Sequence, residues 1–207
     1  MKLEWSLNEL YLMVRRATRG AGLAWGIAEE AGKATRWLCA FGLDGVGLLI
    51  DELDEAFKKN ALVNVSNQKW VGKSALLIGI ALIDRVGFSL PQRIEGVKNP
   101  LFLTPFLAQR AQAEQQSLTL ECTQGSLTVT PSGRLSMHGK LSTYGRLHLS
   151  ASHQDNMIIG DEIHYQYRAF LSTQAHDILS KLAQRTYVPD SSSNRASDAG
   201  AGLVDKD

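Results

Sequence analysis

Ser117 to Ser150 reads SLTLECTQGSLTVTPSGRLSMHGKLSTYGRLHLS, and its hydrophobic period decides the fold. Leu118, Leu120 and Cys122 alternate with polar residues, as do Leu127 and Val129, Leu135 and Met137, and Leu147 and Leu149. Alternation places the apolar side chains on one face of a half-buried strand. Gln124-Gly125, Pro131-Ser132-Gly133, Gly139 and Gly145 supply turns between the runs, so an antiparallel meander is the simple arrangement. A further strand is expected through Ile163, Tyr165 and Tyr167.

Upstream the period is that of a helix. Ser6 and Glu9 form a capping box, with Trp5 and Leu10 as the matching hydrophobic staple. Leu7, Leu10, Tyr11, Val14 and Ala17 follow at helical spacing, and Gly20 and Gly22 end the helix. A second helix is expected from Leu23 to Phe41, with Leu23, Ile27, Ala31, Ala34 and Leu38 as its apolar stripe. Beside that stripe run Ala28, Gly32, Thr35 and Cys39, small enough for close backbone approach. Val46 to Asn60 reads as a third helix on Leu49, Leu53 and Phe57, and Ala61 to Trp70 as less regular chain with a loop. Ser74 to Val86 is apolar nearly all round; its length favours a buried helix, its isoleucines a strand, and length is given the greater weight. Pro91, Pro100 and Pro105 punctuate an extended connection to a short helix at Phe106–Gln116. Ser172 caps a last helix whose apolar positions are Ile178, Leu179 and Leu182.

The expected fold is therefore α+β. Residues 1–188 form one domain, with a mainly helical half (1–116) packed on mainly antiparallel β structure (117–170) and a helix at 172–186. A Gly/Ser/Asp-rich tail (189–207) follows.

Bulk properties exclude some partners. The chain has 207 residues, with Lys+Arg 22 against Asp+Glu 21, so no excess of positive charge argues for nucleic acid or an anionic membrane surface. The opening MKLEWSLNEL lacks the apolar core of a secretory signal. The longest apolar run, Ala75 to Ile83, is about half what a membrane helix needs. Cys39 and Cys122 lie in regions of different character, and both are expected reduced, as in a cytoplasmic protein.

Chemistry is sought first on the second helix. Glu30 stands at the border of the apolar stripe, on the same flank as Trp37. A carboxylate beside indole at an apolar boundary is tuned toward proton transfer by desolvation, whereas a neighbouring arginine makes it an anchor for a cation. The bland alternative is a charge at the rim of a helix–helix contact. Glu29 and Lys33 are spaced for an ion pair. Arg15, Arg16 and Arg19 suit a carboxylate or phosphate, or simply complement the helix dipole. His138, His148 and His164 sit at the polar phase of their strands, but no metal-ligand spacing joins them, so no metal or cofactor is assigned. Gly72-Lys73-Ser74 resembles the end of a phosphate-binding loop, yet Asn67 stands where the rule requires glycine. In the tail, Arg185, Tyr187 and Arg195 offer anchors for docking over a pocket or onto another subunit; its composition alone reads as disorder.

Two longer stretches add a resemblance. RGAGLAWGIAEEAGKATRWL (Arg19 to Leu38) and RTYVPDSSSNRASDAGAGLVDKD (Arg185 to Asp207) resemble the two ends of a bacterial domain-of-unknown-function family. Its members open with a SLNE-type helix and a segment close to RGAGxxWGxAEEAGxAxRWL, and close near RTYVPxSxxSRxxGAGAGLxDxD. Asn194-Arg195 stands where the family tends to have Ser-Arg, and Lys206 interrupts the usual ending. The resemblance implies no activity and no catalytic residue, but it implies a role for the tail.

The functional expectation is a small polar metabolite bound in a pocket lined by the second helix and the C-terminal segment. Glu30 is its acid/base or cation anchor, Trp25 and Trp37 its walls, and Arg19, Glu29, Tyr187 and Arg195 further contacts. The rival expectation is a non-enzymatic accessory or assembly protein, homo-oligomeric or bound to a partner through the same surfaces.

Overall fold

The computed structural model describes residues 2–57, 63–66, 68–141, 144–153 and 160–187. Its elements run β1 (Lys2–Ser6), α1 (Leu7–Gly20), α2 (Trp25–Ala40), α3 (Gly45–Phe57), β2 (Asn64–Val65), β3 (Lys69–Val71), α4 (Ala75–Ile83) and β4 (Arg93–Lys98). A 3-10 turn (Pro100–Leu103) leads into α5 (Thr104–Glu114). Then come β5 (Ser117–Cys122), β6 (Gly125–Val129), β7 (Leu135–Gly139), β8 (Tyr144–Ser152), β9 (Asp161–Ile163), β10 (Arg168–Ser172) and α6 (Thr173–Gln184). The α+β class and the helical N-terminal half are as the periodicity requires.

The sheet is richer than a meander. Its order is β2-β3-β4-β8-β5-β6-β7-β9, with β3 and β4 parallel and the other neighbours antiparallel. β5, β6 and β7 follow one another as expected, but β8 returns to the far side of β5 and brings in β4. Cross-strand pairs on the buried face explain the choice: Leu149 of β8 lies opposite Leu120, and Leu147 opposite Ile94. β4 belongs to the stretch expected to be a mere connection. A bulge between Glu95 and Val97, with Gly96 at φ 80°, shifts its register by one residue. Ile94 and Val97 are therefore both buried although an alternating strand would separate them. β9 stops at Ile163, and Tyr165 and Tyr167 lie beyond it, exposed. The expected strand through all three is thus corrected to a three-residue strand and a loop.

A second, two-stranded sheet pairs β1 with β10, Leu3 opposite Leu171 and Trp5 opposite Ala169. The capping box at Ser6 and Glu9 is present in full (2.9 and 3.1 Å), so the chain turns from strand to helix at Ser6.

Helix α2 buries its small flank as well as its stripe. Ala28, Gly32, Thr35 and Cys39 are buried together with Ala31, Ala34 and Leu38, whereas Leu23 and Ile27 are only partly covered. A Cβ at Gly32 would sit 2.8 Å from the Tyr11 ring, so the glycine admits that ring between α1 and α2.

The apolar segment at Ala75–Ile83 is a helix. Ser74 caps it by accepting the Leu77 N–H (3.2 Å) and donates to Glu52 Oε2 (2.8 Å), which also accepts the Leu76 N–H (3.0 Å). Gly72-Lys73-Ser74 is thus a helix entry built on a buried carboxylate. One apolar core, including Phe102, Phe106, Leu107, Leu76, Ile78, Leu118, Leu127 and Leu147, joins helices to sheet. No helix among the described residues is long and apolar enough to cross a membrane.

Candidate functional site

The residues singled out on α2 separate into two groups, one at each end of the helix. Trp25 and Trp37 are twelve residues apart, about 18 Å along the axis at 1.5 Å per residue, so they do not wall a single site around Glu30.

At the C-terminal end, a cleft of about 490 Å³ is lined by Lys33, Arg36 and Trp37 of α2, Leu7 and Asn8 of α1, Gln109 of α5, and Tyr165. Lys33 Nζ donates to Glu30 Oε1 at 2.6 Å, and that bond to a carboxylate raises the lysine pKa. The ion pair therefore runs from Lys33 to Glu30 at i−3, not to Glu29 at i−4 as the spacing implied. The other carboxylate oxygen of Glu30 is buried and has no hydrogen-bond partner among the described residues. The aromatic wall continues behind the cleft: Trp37 lies 4.4 Å from Phe41, Phe41 meets Tyr165 edge-on at 5.7 Å, and Tyr165 meets Tyr167 at 5.3 Å. The loop carrying Tyr165 is tied to α2 where the Gln166 N–H donates to the Ala40 carbonyl at 2.5 Å.

From Trp25 at the N-terminal end toward Arg36, guanidinium groups and rings alternate along the α1–α2 seam. Arg19 and Arg15 lie 5.6 and 5.7 Å from the Trp25 ring, and Arg15 and Arg36 lie 5.8 and 5.6 Å from the Tyr11 ring. Glu29 adds a long ion pair to Arg15 at 4.0 Å, and Arg19 donates to the Leu23 carbonyl at 3.1 Å. Trp25 remains half exposed. Arg16 stands apart, donating to the Tyr187 hydroxyl at 3.1 Å. Tyr187 lines a separate groove between α1 and α6 with Trp5, Leu12 and Met13. Arg195 lies outside the described residues.

Among the described residues, no three His, Cys, Asp or Glu side chains converge in a way that would hold a metal ion. His138, His148 and His164 are exposed. Cys39 and Cys122 form no disulfide. Burial pushes the Cys39 thiol up to about 11, although the Gly45 and Val46 N–H groups point at the sulfur and favour the thiolate. Cys39 alkylation by iodoacetamide is therefore expected to be slow at pH 7 and to accelerate roughly tenfold per pH unit toward pH 11. Because the folded pKa is raised, this thiol stabilises the fold below its unfolded pKa. That contribution is lost as pH rises through about 11. A plateau in alkylation rate near pH 8 would contradict the assignment.

Lys33 is legible in the sequence only as an ion-pair partner, and Arg36 carries no motif. Gln109 carried no signal at all, and Tyr165 was assigned to a strand. Only the packing of α5 and the 164–167 loop against α2 assembles them.

No curated protein matches this chain. Among solved structures, the malate dehydrogenase of Entamoeba histolytica is 8% identical with a TM-score of 0.40, covering 73% of this chain and 49% of that one. The malate dehydrogenase of Pyrococcus horikoshii OT3 is 9% identical with a TM-score of 0.41, covering 77% and 52%. The chain spans about half the length of these enzymes, and likeness this weak carries no functional argument. Residues 5–76, from Trp5 through α1, α2 and α3 into α4, match the model of the family described as Protein of unknown function (DUF3726), so the resemblance to a family of unknown function stands over that segment.

Proposed function

We propose that the protein binds a small, planar, anionic metabolite in the cleft at the C-terminal end of α2. The observation that carries this is the convergence of two cations, Lys33 and Arg36, with two rings, Trp37 and Tyr165, on one cleft of about 490 Å³, within the size range of small-molecule sites. The rings supply a flat apolar wall, Arg36 supplies the counter-charge, and the Lys33 ammonium, shared with Glu30, supplies a hydrogen-bond donor. Glu30 is a positioning residue in this reading: it holds the Lys33 ammonium and is itself held by it, which leaves it poorly placed as a free acid or base. The cytoplasmic location is part of the same proposal, supported by the reduced state of the buried Cys39 thiol.

Titration calorimetry with phenyl phosphate and benzoate tests the reading. The phosphate ester should bind, and Arg36→Gln and Trp37→Leu should each weaken it about tenfold or more. Glu30→Gln should weaken it less and leave the melting temperature nearly unchanged. Absence of binding by either anion, or affinities untouched by both cleft variants, would defeat the proposal.

The assembly reading is favoured by a different observation, the alternating arginines and rings around half-exposed Trp25, since Trp, Tyr and Arg dominate interface energetics. Sedimentation of the full chain against Trp25→Ala and against a truncation after Pro189 separates the two. A change in oligomer size supports assembly, and a monomer in all three removes self-association as its form.

A further inference from the structure

A larger cleft, about 530 Å³, lies where the C-terminal end of α2, the start of α3 and the β1–β10 ribbon meet. The loop at 164–167 contributes to both clefts, Tyr165 to the one described above and Gln166 to this one. Gln166 is brought close by Gly42, at φ 70°, where a Cβ would sit 2.9 Å from its amide nitrogen.

Three features of the lining are complementary to one kind of ligand. Lys2 and Phe170 are diagonal neighbours on one face of the ribbon, since Lys2 pairs with Ser172 and Glu4 with Phe170. Glu4 is taken by Arg168 at 2.7 Å, which leaves Lys2 with no ion pair among the described residues. Asp44, which lines the same cleft, spends one carboxylate oxygen on the Gly47 N–H at 2.9 Å. The same lining includes the apolar residues Leu43, Val46 and Phe170, and Phe170 is 56% exposed although its neighbours Ala169 and Leu171 are buried. A cation with no ion pair among the described residues and an anion in the lining of one cleft, together with an exposed ring, favour a zwitterion that has an apolar body over a ligand of a single charge.

We propose that this cleft binds a free α-amino acid with an apolar side chain. Asp44 receives the ammonium and Lys2 the carboxylate. Phe170, Leu43 and Val46 receive the side chain, and the Gln166 carboxamide offers a donor and an acceptor between them.

The test is titration calorimetry of the full chain with L-phenylalanine, phenethylamine and hydrocinnamate, which share a body and differ only in charge. Phenylalanine is expected to bind about tenfold or more tightly than either analogue. Lys2→Met should abolish its preference over phenethylamine. Asp44→Asn should abolish its preference over hydrocinnamate, while the asparagine still caps α3. Lys2→Met and Asp44→Asn, which lie outside the other cleft, should leave its binding of phenyl phosphate unchanged, so failure of either proposal leaves the other standing. Equal binding of the three probes, no binding of phenylalanine at about 10 mM, or selectivity intact in both variants would overturn the assignment.

Discussion

Arg110→Met is expected to lower the unfolding free energy by about 3–5 kcal/mol, read as a lower urea midpoint at unchanged slope. The guanidinium is fully buried in α5. Its Nε and one terminal nitrogen bind Glu114 at 2.9 and 2.8 Å, and its terminal nitrogens also donate to the Leu82 carbonyl at 3.2 Å and the Phe88 carbonyl at 2.5 Å. Glu114 in turn accepts the Gly87 N–H at 3.2 Å. One side chain therefore fastens the end of α4 and the turn before β4 to α5. Methionine keeps most of the apolar stem but strands two carbonyls and a largely buried carboxylate, and stranded polar groups cost more than the lost bonds themselves. Replacing Glu114 by leucine as well should recover part of the loss. A single-variant effect below about 1 kcal/mol would show that the clamp is not holding these elements together.

Gly20→Ala is expected to destabilise by about 2–4 kcal/mol, against the sign that helix propensity predicts. In an exposed helix alanine is better than glycine by about 1 kcal/mol. Here an added Cβ would lie 1.8 Å from the backbone carbonyl oxygen of Leu182, so α1 and α6 would have to separate. Gly26, in the first turn of α2, has nothing within 4 Å of the same virtual atom, and Gly26→Ala should be neutral or stabilising by up to about 1 kcal/mol. Thermal unfolding of the pair decides the matter: equal effects would mean that packing at Gly20 is not the constraint. Both glycines belong to the Arg19–Leu38 stretch, and only the tertiary contact distinguishes them.

The same contrast runs through the candidate sites. Glu30, Trp25 and Trp37 are legible as unusual residues for a core helix, because charge and indole at an apolar border stand out in any periodicity reading. Their grouping is not legible, because helical geometry alone puts the two tryptophans at opposite ends of α2, and the surroundings of each are set by other elements. Arg15 and Arg19 were readable as a charged cluster; that they lie against the Trp25 ring follows from the α1–α2 crossing. Lys2, Asp44 and Phe170 carry no motif, and they share a cleft only because β1 pairs with β10 beside the α2–α3 turn.

What the chain's own pattern determined is local: hydrogen-bonded caps at Ser6 and Ser172, the helices α1 and α2 where apolar residues recur at 3.6, and the strands β5 to β8 where they recur at two. These follow from interactions within a few residues, so they are written in short windows of sequence. Tertiary structure decided the strand order, the recruitment of bulged β4, the burial of Arg110 and the assembly of both clefts. Each depends on contacts between residues tens of positions apart, where a shape match rather than a spacing selects the partner.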